Sequence, residues 1–315
     1  MRHIFILNSF TLKEHLDEVS KRIDSYCKKE KIDYIIEANS PTCDTEDIVR
    51  KYKDSENIII PVGGDGVINR TLNELVGTKN ILGFIPYGTG NDFYKSVKRQ
   101  FKEEYNKCDI VKINNKYFIN TACFGIDADV ANNKNVVKTK LIPKKQKYNI
   151  ALVYNFFKYK CRKLEVHCNE ELIVDNFTTI AVCNGSYYGS GYNIGPSSNL
   201  QDGELEVYVV KRLNKVSMLK LILEMKKGKH EKSKHVKYFK TNKLSIKSPI
   251  KFKCNIDGEE VYDDNYEIEI IPKGITIYHN ENLINSIKTK YDEGVIDNFR
   301  VEEDNVEEVI NYFRE

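Results

Sequence analysis

Three glycines and one aspartate stand between an apolar run and a helical pattern at Gly63, Gly64, Asp65 and Gly66. Glycines let backbone N–H groups come close to phosphate oxygens, and the N-terminus of the following helix adds a positive dipole. An aspartate would repel a phosphate directly, but it suits the loop if Mg²⁺ lies between the two anions. The loop predicts chemistry on a magnesium-bound nucleotide; the alternative is a tight strand-to-helix turn in which Asp65 caps the helix.

A second loop of this kind follows at residues 88–93, with the sequence GTGNDF. It also comes after an apolar strand, and ligands of open α/β sheets bind where the carboxyl ends of parallel strands meet. We therefore expect both loops to face one crevice. There Asp92 would hold the metal, bind the ribose or pair with Asp65 across the magnesium; the alternative is an Asx-type cap. Residues 256–260, IDGEE, add further carboxylates, and taken alone they predict a β-hairpin turn.

These loops need a sheet that ends beside them, and the first hundred residues have the pattern of one. Apolar, strand-like runs alternate with polar, helix-like segments in the order βαβαβαβ, which predicts a doubly wound parallel sheet covered by helices. We interpret residues 1–108 as an α/β nucleotide-binding domain. The predicted strands cover 4–7, 34–37, 57–62 and 81–86, and the predicted helices cover 12–28, 44–53 and 67–76.

After residue 108 the pattern changes to short apolar segments separated by turns, which predicts a mainly β domain over residues 109–281. Residues 282–315 are rich in acidic side chains, and a helical spacing of apolar residues after position 304 predicts a tail helix that docks on the body. The predicted strands of the second domain cover 116–120, 163–167, 178–183, 204–210, 244–248, 252–256, 266–271 and 275–279, with helices over 148–160 and 216–227.

The composition is that of a folded globular protein. Of 315 residues, 41% are hydrophobic and 30% are charged, and the length favours two domains. The net charge of +3 is too small to indicate nucleic-acid binding. No apolar run is long enough to span a bilayer and the N-terminus lacks a signal-peptide pattern, so we expect a cytoplasmic protein. The eight cysteines form no CxxC pair, which favours reduced, buried thiols.

Two lysine-rich stretches could bring the chain to a membrane. Each basic residue near an anionic leaflet contributes about 1 kcal/mol of attraction, so either stretch predicts peripheral membrane association. The alternative is a solvated charged surface. The first stretch contains Lys134, Lys138, Lys140, Lys144, Lys145 and Lys147, and the second contains Lys226, Lys227, Lys229, Lys232, Lys234, Lys237 and Lys240.

Four ordered segments are specific when taken together. They are GGDG at 63–66, GTGNDF at 88–93, NGSYYGSGYNIGPSSNLQDGELEV at 184–207 and IDGEE at 256–260. In this order and at these separations they resemble the diacylglycerol kinase catalytic family, and in particular its bacterial soluble lipid kinases. The resemblance extends over nearly the whole chain up to residue 281. It implies an α/β nucleotide domain followed by a β-sandwich domain.

The resemblance also implies a nucleotide site. Asp127, in the segment CFGIDADV, would be its third acidic residue beside Asp65 and Asp92. Two features depart from the family: no proline or glycine follows Asn8, and Val67 stands where threonine or serine is common. The residues implied to contact the nucleotide are Asn8, Gly63, Gly64, Asp65, Gly66, Thr89, Asn91 and Asp92.

Two further sets of residues are carried over from the family. Glu259 matches its general base and Asp257 a supporting acid, and a carboxylate is chemically suited to accept a proton from the acceptor hydroxyl. Asn199, Asp202 and Glu204 resemble a loop that binds a second, structural Mg²⁺, with a side-chain oxygen from the aspartate and backbone carbonyls from the other two. The alternative for that loop is a turn between strands.

The function implied by the resemblance is transfer of the γ-phosphoryl group of ATP to a lipid hydroxyl at an anionic membrane surface, with Mg²⁺ as cofactor. Diacylglycerol, which would give phosphatidic acid, is the leading acceptor; monoacylglycerol, ceramide, sphingoid bases, undecaprenol and a phospholipid headgroup stay open. Relatives suggest a homodimer. Two alternatives remain: an NAD kinase, which shares the GGDG loop, and a degenerate protein that binds lipid or nucleotide without catalysis, as Val67 would permit.

Overall fold

The computed structural model describes residues 1–12, 15–88, 90–125, 161–189 and 191–288. The strands of its first part are β1 (Arg2–Leu7), β2 (Tyr34–Ala38), β3 (Asn57–Gly63), β4 (Ile81–Leu82) and β5 (Ile85–Pro86). They pair in the order β2–β1–β3–β4, with β5 also on β3, and every pair is parallel. The parallel sheet predicted from the sequence is therefore present.

The helices of this part are α1 (Ser9–Leu12), α2 (Leu16–Glu30), α3 (Thr45–Arg50), α4 (Asp65–Leu75) and α5 (Asp92–Gln100). In α2, Val19, Ile23 and Cys27 are buried at a spacing of four residues, which places one apolar stripe against the core. The prediction of one helix over 12–28 is wrong at its start, because α1 ends at Leu12 and α2 begins at Leu16.

The strand predicted over 81–86 is two short strands instead. β4 and β5 both pair with β3, and between them the Gly83 N–H donates to the Ile59 carbonyl at 2.8 Å. A Cβ at Gly83 would lie 2.8 Å from Ile60 Cγ1, so only glycine allows the chain to pack this closely where the pairing is interrupted.

The second part is mainly antiparallel. Its strands are β6 (Tyr105–Ile113), β7 (Lys116–Phe118), β8 (Thr121–Gly125), β9 (Arg162–Cys168), β10 (Glu171–Cys183), β11 (Tyr187–Tyr188), β12 (Tyr192–Asn193), β13 (Leu205–Lys211), β14 (Val236–Thr241), β15 (Lys243–Ile256) and β16 (Glu259–Tyr278). The remaining helices are α6 (Lys215–Lys226), a 3₁₀ turn at His230–Lys232 and α7 (Glu281–Ile287). The helix predicted over 148–160 lies outside the described residues.

Two pairs of predicted strands are single long strands. The segments 244–248 and 252–256 both belong to β15, and 266–271 and 275–279 correspond to the end of β16. The pairing register shifts between Lys247 and Phe252, where Pro249 cannot donate a ladder hydrogen bond. These interruptions produced the apparent breaks in the apolar pattern, although each strand continues through them.

The two largest of three hydrophobic clusters among the described residues give the molecule a two-domain architecture. The first fills the space between the parallel sheet and its helices, and the second lies among the antiparallel strands around Phe124, Phe252 and Tyr266, whose ring centroids are 5.0 to 6.0 Å apart. β16 joins the two, because Ile277 near its end pairs in parallel with Leu82 of β4. β6 runs across the predicted domain boundary, so the boundary is not a linker.

Helix α7 docks on the first core. Leu283, Ile284 and Ile287 are buried there, and α7 packs against α2. The tail helix predicted after residue 304 lies outside the described residues. Among the helices that the structure describes, none has the length and apolar character needed to cross a membrane.

Candidate active site

The two glycine loops meet at the carboxyl edge of the parallel sheet. β3 ends at Gly63, Gly64 is the N-cap of α4, and the second loop leads from β5 to α5. A Cβ at Gly88 would lie 2.6 Å from the Gly64 Cα, so the loops touch backbone to backbone and position 88 requires glycine. The structure thus brings both loops to one place, as predicted. Thr89 in the second loop lies outside the described residues.

The carboxylate of Asp65, in the first glycine loop, forms hydrogen bonds to the backbone at the end of the second loop. Its Oδ2 accepts a hydrogen bond from the Asp92 N–H and its Oδ1 accepts one from the Phe93 N–H, both at 3.0 Å. These are N–H groups at the start of α5 that have no partner within the helix. Burial, followed by the negative charge of Asp92, raises the pKa of Asp65 to about 7. The alternative in which Asp65 caps α4 is wrong, because the N-cap of α4 is Gly64 and the Asp65 carboxylate instead accepts the first N–H groups of α5.

Asp65 and Asp92 approach each other around Gly90. A Cβ at Gly90 would lie 3.2 Å from Asp65 Oδ2 and 3.3 Å from Asp92 Oδ2. Lys95 Nζ lies 3.0 Å from Asp92 Oδ1 and offsets part of this negative charge. Neighbouring carboxylate oxygens are what Mg²⁺ prefers, so this pair fits the predicted magnesium. The described residues contain no cluster of three or more His, Cys, Asp or Glu that could hold a metal, and the predicted third acid, Asp127, is not among them.

The side-chain oxygen of Asn91, in the second glycine loop, is a buried hydrogen-bond acceptor. The residue has a left-handed backbone, with φ of 49°, and its Nδ2 donates to the Gly88 carbonyl at 2.8 Å. Its Oδ1 is buried and has no hydrogen-bond partner within the part of the chain that the structure describes. Such an acceptor is costly unless a ligand or water donates to it. A ribose hydroxyl or a metal-bound water would satisfy it, which fits the predicted nucleotide contact.

Asn8 lies where β1 ends beside β3. Its N–H donates to the Val62 carbonyl at 3.2 Å, and its Oδ1 accepts from the Phe10 N–H at 3.2 Å. The next residue is held from the opposite side, because the Ser9 N–H and Oγ both bond to Asn39 at 2.8 Å. The segment after Asn8 therefore has ordered hydrogen bonds although it lacks the proline and glycine of the family.

Asp257 anchors the turn that carries Glu259. Its buried carboxylate accepts three backbone N–H groups, from residues 119–121, at 2.8 to 3.1 Å, and the Asn69 Nδ2 at 3.2 Å. Burial raises the pKa of this carboxyl group, while the same hydrogen bonds lower it. Because four hydrogen-bond donors already occupy its carboxylate oxygens, Asp257 stabilises the turn and is not suited to bind a metal ion.

Glu259 lies directly against the predicted phosphate loop. The two-residue turn at Asp257 and Gly258, with φ of 48° and 94°, reverses β15 into β16, as the hairpin interpretation predicted. A Cβ at Gly66 would lie 2.8 Å from Glu259 Oε1. The Arg70 Nη1 donates to the same oxygen at 2.8 Å. The second domain thus delivers the predicted base to the predicted phosphate loop.

Sequence reasoning missed Arg70 and Lys95. Each stands on a helix three or four residues after a loop residue, Lys95 after Asp92 and Arg70 after Gly66. For Lys95 and Asp92 that spacing places both side chains on one helix face, so it was a usable signal. Gly66 has no side chain, so local spacing gave no such signal for Arg70. Asp127, the predicted third acid, lies outside the described residues.

The turn predicted to bind a second Mg²⁺ is held by protein groups. Asp202 Oδ1 accepts the Glu204 N–H at 3.2 Å, and Asp202 Oδ2 lies 3.1 Å from Lys240 Nζ. Lys240 Nζ also lies 2.5 Å from Glu204 Oε2, and hydrogen bonds to both carboxylates raise the pKa of this lysine. The Asn199 Oδ1 accepts a backbone N–H two residues further on, at 3.1 Å. An ammonium group therefore bridges the two carboxylates in this structure. The second Mg²⁺, which would use the Asp202 side chain and the backbone carbonyls of Asn199 and Glu204, stays a prediction.

Two family models match the chain, and together they span most of it. Residues 2–117 match the diacylglycerol kinase catalytic domain, and residues 120–279 match the YegS C-terminal NAD kinase beta sandwich-like domain. The chain belongs to the diacylglycerol kinase family. This is a family of lipid kinases, so the resemblance inferred from the four segments is confirmed. The NAD kinase alternative has no better support.

Named members of the diacylglycerol kinase family are similar over most of their length. The diacylglycerol kinase of Bacillus subtilis (strain 168) is 24% identical over 271 residues, which cover 78% of this chain and 84% of that protein. The diacylglycerol kinase of Staphylococcus haemolyticus (strain JCSC1435) is 26% identical over 222 residues, 67% of each chain. A crystal structure of a diacylglycerol kinase from Bacillus anthracis str. Sterne superposes with a TM-score of 0.64 at 17% identity, covering 90% of this chain and 98% of that chain. This likeness supports the fold.

Proposed function

We propose that this kinase transfers the γ-phosphoryl group of ATP to the hydroxyl of diacylglycerol, in a reaction that requires Mg²⁺. The observation that carries the proposal is the contact between Glu259 and Gly66. A glycine loop by itself binds a nucleotide. A carboxylate beside that loop adds a group that can take the proton of an attacking hydroxyl.

Each part of the site would have one task. The backbone N–H groups of residues 63–66 and the positive end of α4 would hold the phosphates. Asp65 and Asp92 would hold the magnesium ion, which neutralises charge on the transferred group. Glu259 would accept the hydroxyl proton while the acceptor oxygen bonds to the γ-phosphorus and ADP leaves with the bridging oxygen. Asn91 Oδ1 would accept a hydrogen bond from the nucleotide or from a bound water.

Diacylglycerol is proposed as the acceptor because the named relatives are diacylglycerol kinases. Monoacylglycerol, ceramide, sphingoid bases and undecaprenol also offer a hydroxyl, and they serve as comparison substrates in the test below.

The acceptor would be reached at an anionic membrane surface. In the second lysine-rich stretch, Lys229, Lys232 and Lys234 are exposed. Lys237 pairs with Glu171, and Lys240 pairs with acidic residues of the turn described above, so part of the charge is balanced locally. The first lysine-rich stretch lies outside the described residues. The exposed lysines support peripheral attraction.

The test is transfer of radiolabel from γ-labelled ATP and Mg²⁺ to diacylglycerol in mixed micelles, with NAD and the other lipids as parallel acceptors. We expect labelled phosphatidic acid as the main product. Labelled NADP instead would establish the NAD kinase alternative. Nucleotide binding without transfer to any acceptor would establish the non-catalytic alternative.

A further inference from the structure

Two consecutive residues of α4 hold the two acids of the 257–259 turn. Asn69 Nδ2 donates to Asp257 Oδ2 at 3.2 Å, and Arg70 Nη1 donates to Glu259 Oε1 at 2.8 Å. The helix that begins in the phosphate loop therefore also clamps the hairpin that brings Glu259 to it. Of these two contacts, only the one from Arg70 is made to the carboxylate placed for chemistry.

The Arg70 contact fixes where the Glu259 carboxylate lies. Glu259 has a long side chain that is more than one-third exposed, so packing alone does not hold it against Gly66. Its Oε1 is bound by the guanidinium, while its Oε2 makes no hydrogen bond to any residue that the structure describes. One oxygen is therefore used for orientation, which leaves the other for an acceptor hydroxyl.

The charge of Arg70 is already engaged by protein carboxylates. Its Nε lies 3.6 Å from Glu46 Oε1 on α3, and its Nη1 is bound to Glu259. A guanidinium shared between two carboxylates is poorly placed to act as a free phosphate ligand. The geometry therefore favours an effect exerted through Glu259 over a direct contact with the nucleotide.

We propose that Arg70 is a positioning residue that orients Glu259 for proton removal from the lipid hydroxyl. This inference rests on the proposed kinase function. It assigns to α4 a second task beyond phosphate binding, and it predicts that losing Arg70 matters only while Glu259 is present to be oriented.

The test is a double-mutant cycle in kcat with Arg70→Met and Glu259→Gln, using saturating ATP and lipid. Glu259→Gln should lower kcat by about 10² to 10⁴, the usual span for loss of a general base. Arg70→Met should lower kcat by about 10- to 100-fold, because a small displacement of a reacting group is costly, with KM for ATP within about threefold of wild type. In the Glu259→Gln background, Arg70→Met should change kcat by less than about threefold.

Two further variants distinguish an effect of Arg70 on the position of Glu259 from a general loss of stability. Arg70→Lys keeps the charge and should recover part of the lost kcat. Arg50→Met is the matched control, because Arg50 also bridges α3 to α4, through Glu74 at 2.8 Å. It should leave kcat within about twofold of wild type, since it touches no residue of the turn.

Each contrary result has a separate meaning. An active wild type with equal kcat losses from Arg70→Met in both backgrounds would overturn the positioning role alone. A raised KM for ATP with unchanged kcat would make Arg70 a phosphate contact and would also overturn it. If the wild type transfers no phosphate to any lipid, the proposed function fails and this inference fails with it.

Discussion

Three carboxylates near the phosphate loop differ in how many donors surround them. Asp257 accepts four hydrogen bonds, Asp65 accepts two backbone N–H groups, and Glu259 accepts one arginine. The fewer the donors, the more lone pairs are left for a metal or a proton. This ordering separates Asp257 as an anchor from Asp65, the proposed Mg²⁺ ligand, and from Glu259, the proposed base, although the three residue types are nearly identical.

The raised pKa of Asp65 predicts a pH dependence of stability. Its folded pKa of about 7 exceeds the ordinary value of 3.8, so between these values the folded state keeps a proton that the unfolded state has released. The free energy of unfolding should therefore fall as pH rises from about 4 to about 7, by up to about 1.4 kcal/mol per pH unit. Asp65→Asn cannot ionise and should lack this contribution. Urea unfolding at several pH values without Mg²⁺ measures the difference in slope.

A matched surface variant completes that experiment. Asp54 is exposed, and Asp54→Asn should keep the wild-type slope. The buried Glu206, whose pKa burial raises to about 7, contributes in the same direction in every variant, so it cancels in the comparison. Equal slopes for wild type and Asp65→Asn would mean that Asp65 stays ionised in the folded protein.

At the scale of elements, α4 is a second link between the two domains, beside β16. Its first turn belongs to the predicted phosphate loop, and Asn73 exchanges hydrogen bonds with the backbone of Tyr117 at 2.8 and 2.9 Å. Together with the Asn69 and Arg70 contacts, one face of this helix holds two strands of the other domain. The hairpin turn at residues 257–259 and α4 therefore form one structural unit.

Loss of the Asp257 anchor should destabilise that unit. Asp257→Ala leaves three buried backbone N–H groups without an acceptor, and each such group costs about 1 to 3 kcal/mol. We expect the free energy of unfolding to fall by at least about 3 kcal/mol in chemical denaturation. Glu259→Gln, at a partly exposed site, should change it by less than about 1 kcal/mol. Equal effects of the two variants would contradict the division between anchor and base.

Lys240 should make the 199–204 turn independent of metal. In the absence of nucleotide, we expect the wild-type Tm to be the same in EDTA and in millimolar Mg²⁺. Lys240→Met leaves the carboxylates of Asp202 and Glu204 facing each other, so it should lower Tm by a few degrees and make it rise again with Mg²⁺. Lys237→Met, on the same strand and paired with Glu171, is the control and should show no Mg²⁺ response. A wild-type Tm that drops in EDTA would instead support the predicted second metal site.

The glycine loops were predictable because their chemistry is local: each combines a strand end, small residues and a helix start within a few positions. The clamp on Glu259 was not, since Arg70 and Glu259 are 189 residues apart and nothing in local spacing pairs them. The continuity of β15 and β16 was missed for a related reason. A proline interrupts the apolar alternation in each strand, Pro249 in β15 and Pro272 in β16. Pairing resumes beyond each proline, and for β16 the partner strand β6 is distant in sequence, so the local pattern does not show that the strand continues.

At the scale of the whole molecule, charge should guide the kinase to its acceptor. Replacing Lys226, Lys227 and Lys229 with Gln should weaken binding to anionic vesicles by about tenfold or more, because each lysine contributes about 1 kcal/mol near the surface. The apparent KM for lipid should rise more than kcat falls. Vesicle sedimentation at increasing salt measures the electrostatic part, since screening shortens its reach to about 8 Å at physiological ionic strength.

A variant with the same charge change elsewhere tests whether location matters. Lys28, Lys29 and Lys31 are exposed around the end of α2, and their replacement with Gln removes three charges as well. We expect this variant to bind vesicles as the wild type does. Equal weakening by both sets would show that net charge acts without a defined surface, and salt-independent binding would exclude an electrostatic contribution.

The placement of α7 has a consequence for how the protein is made. The match to the catalytic domain ends at residue 117, yet the first core also contains Ile277, Leu283 and Ile287. A ribosome that has synthesised residues 1–117 has delivered every parallel strand but not the strand end and helix that complete their packing. The nascent domain keeps apolar surface uncovered until residue 287 has emerged. The first core of this kinase therefore cannot be complete before the whole C-terminal domain has been translated.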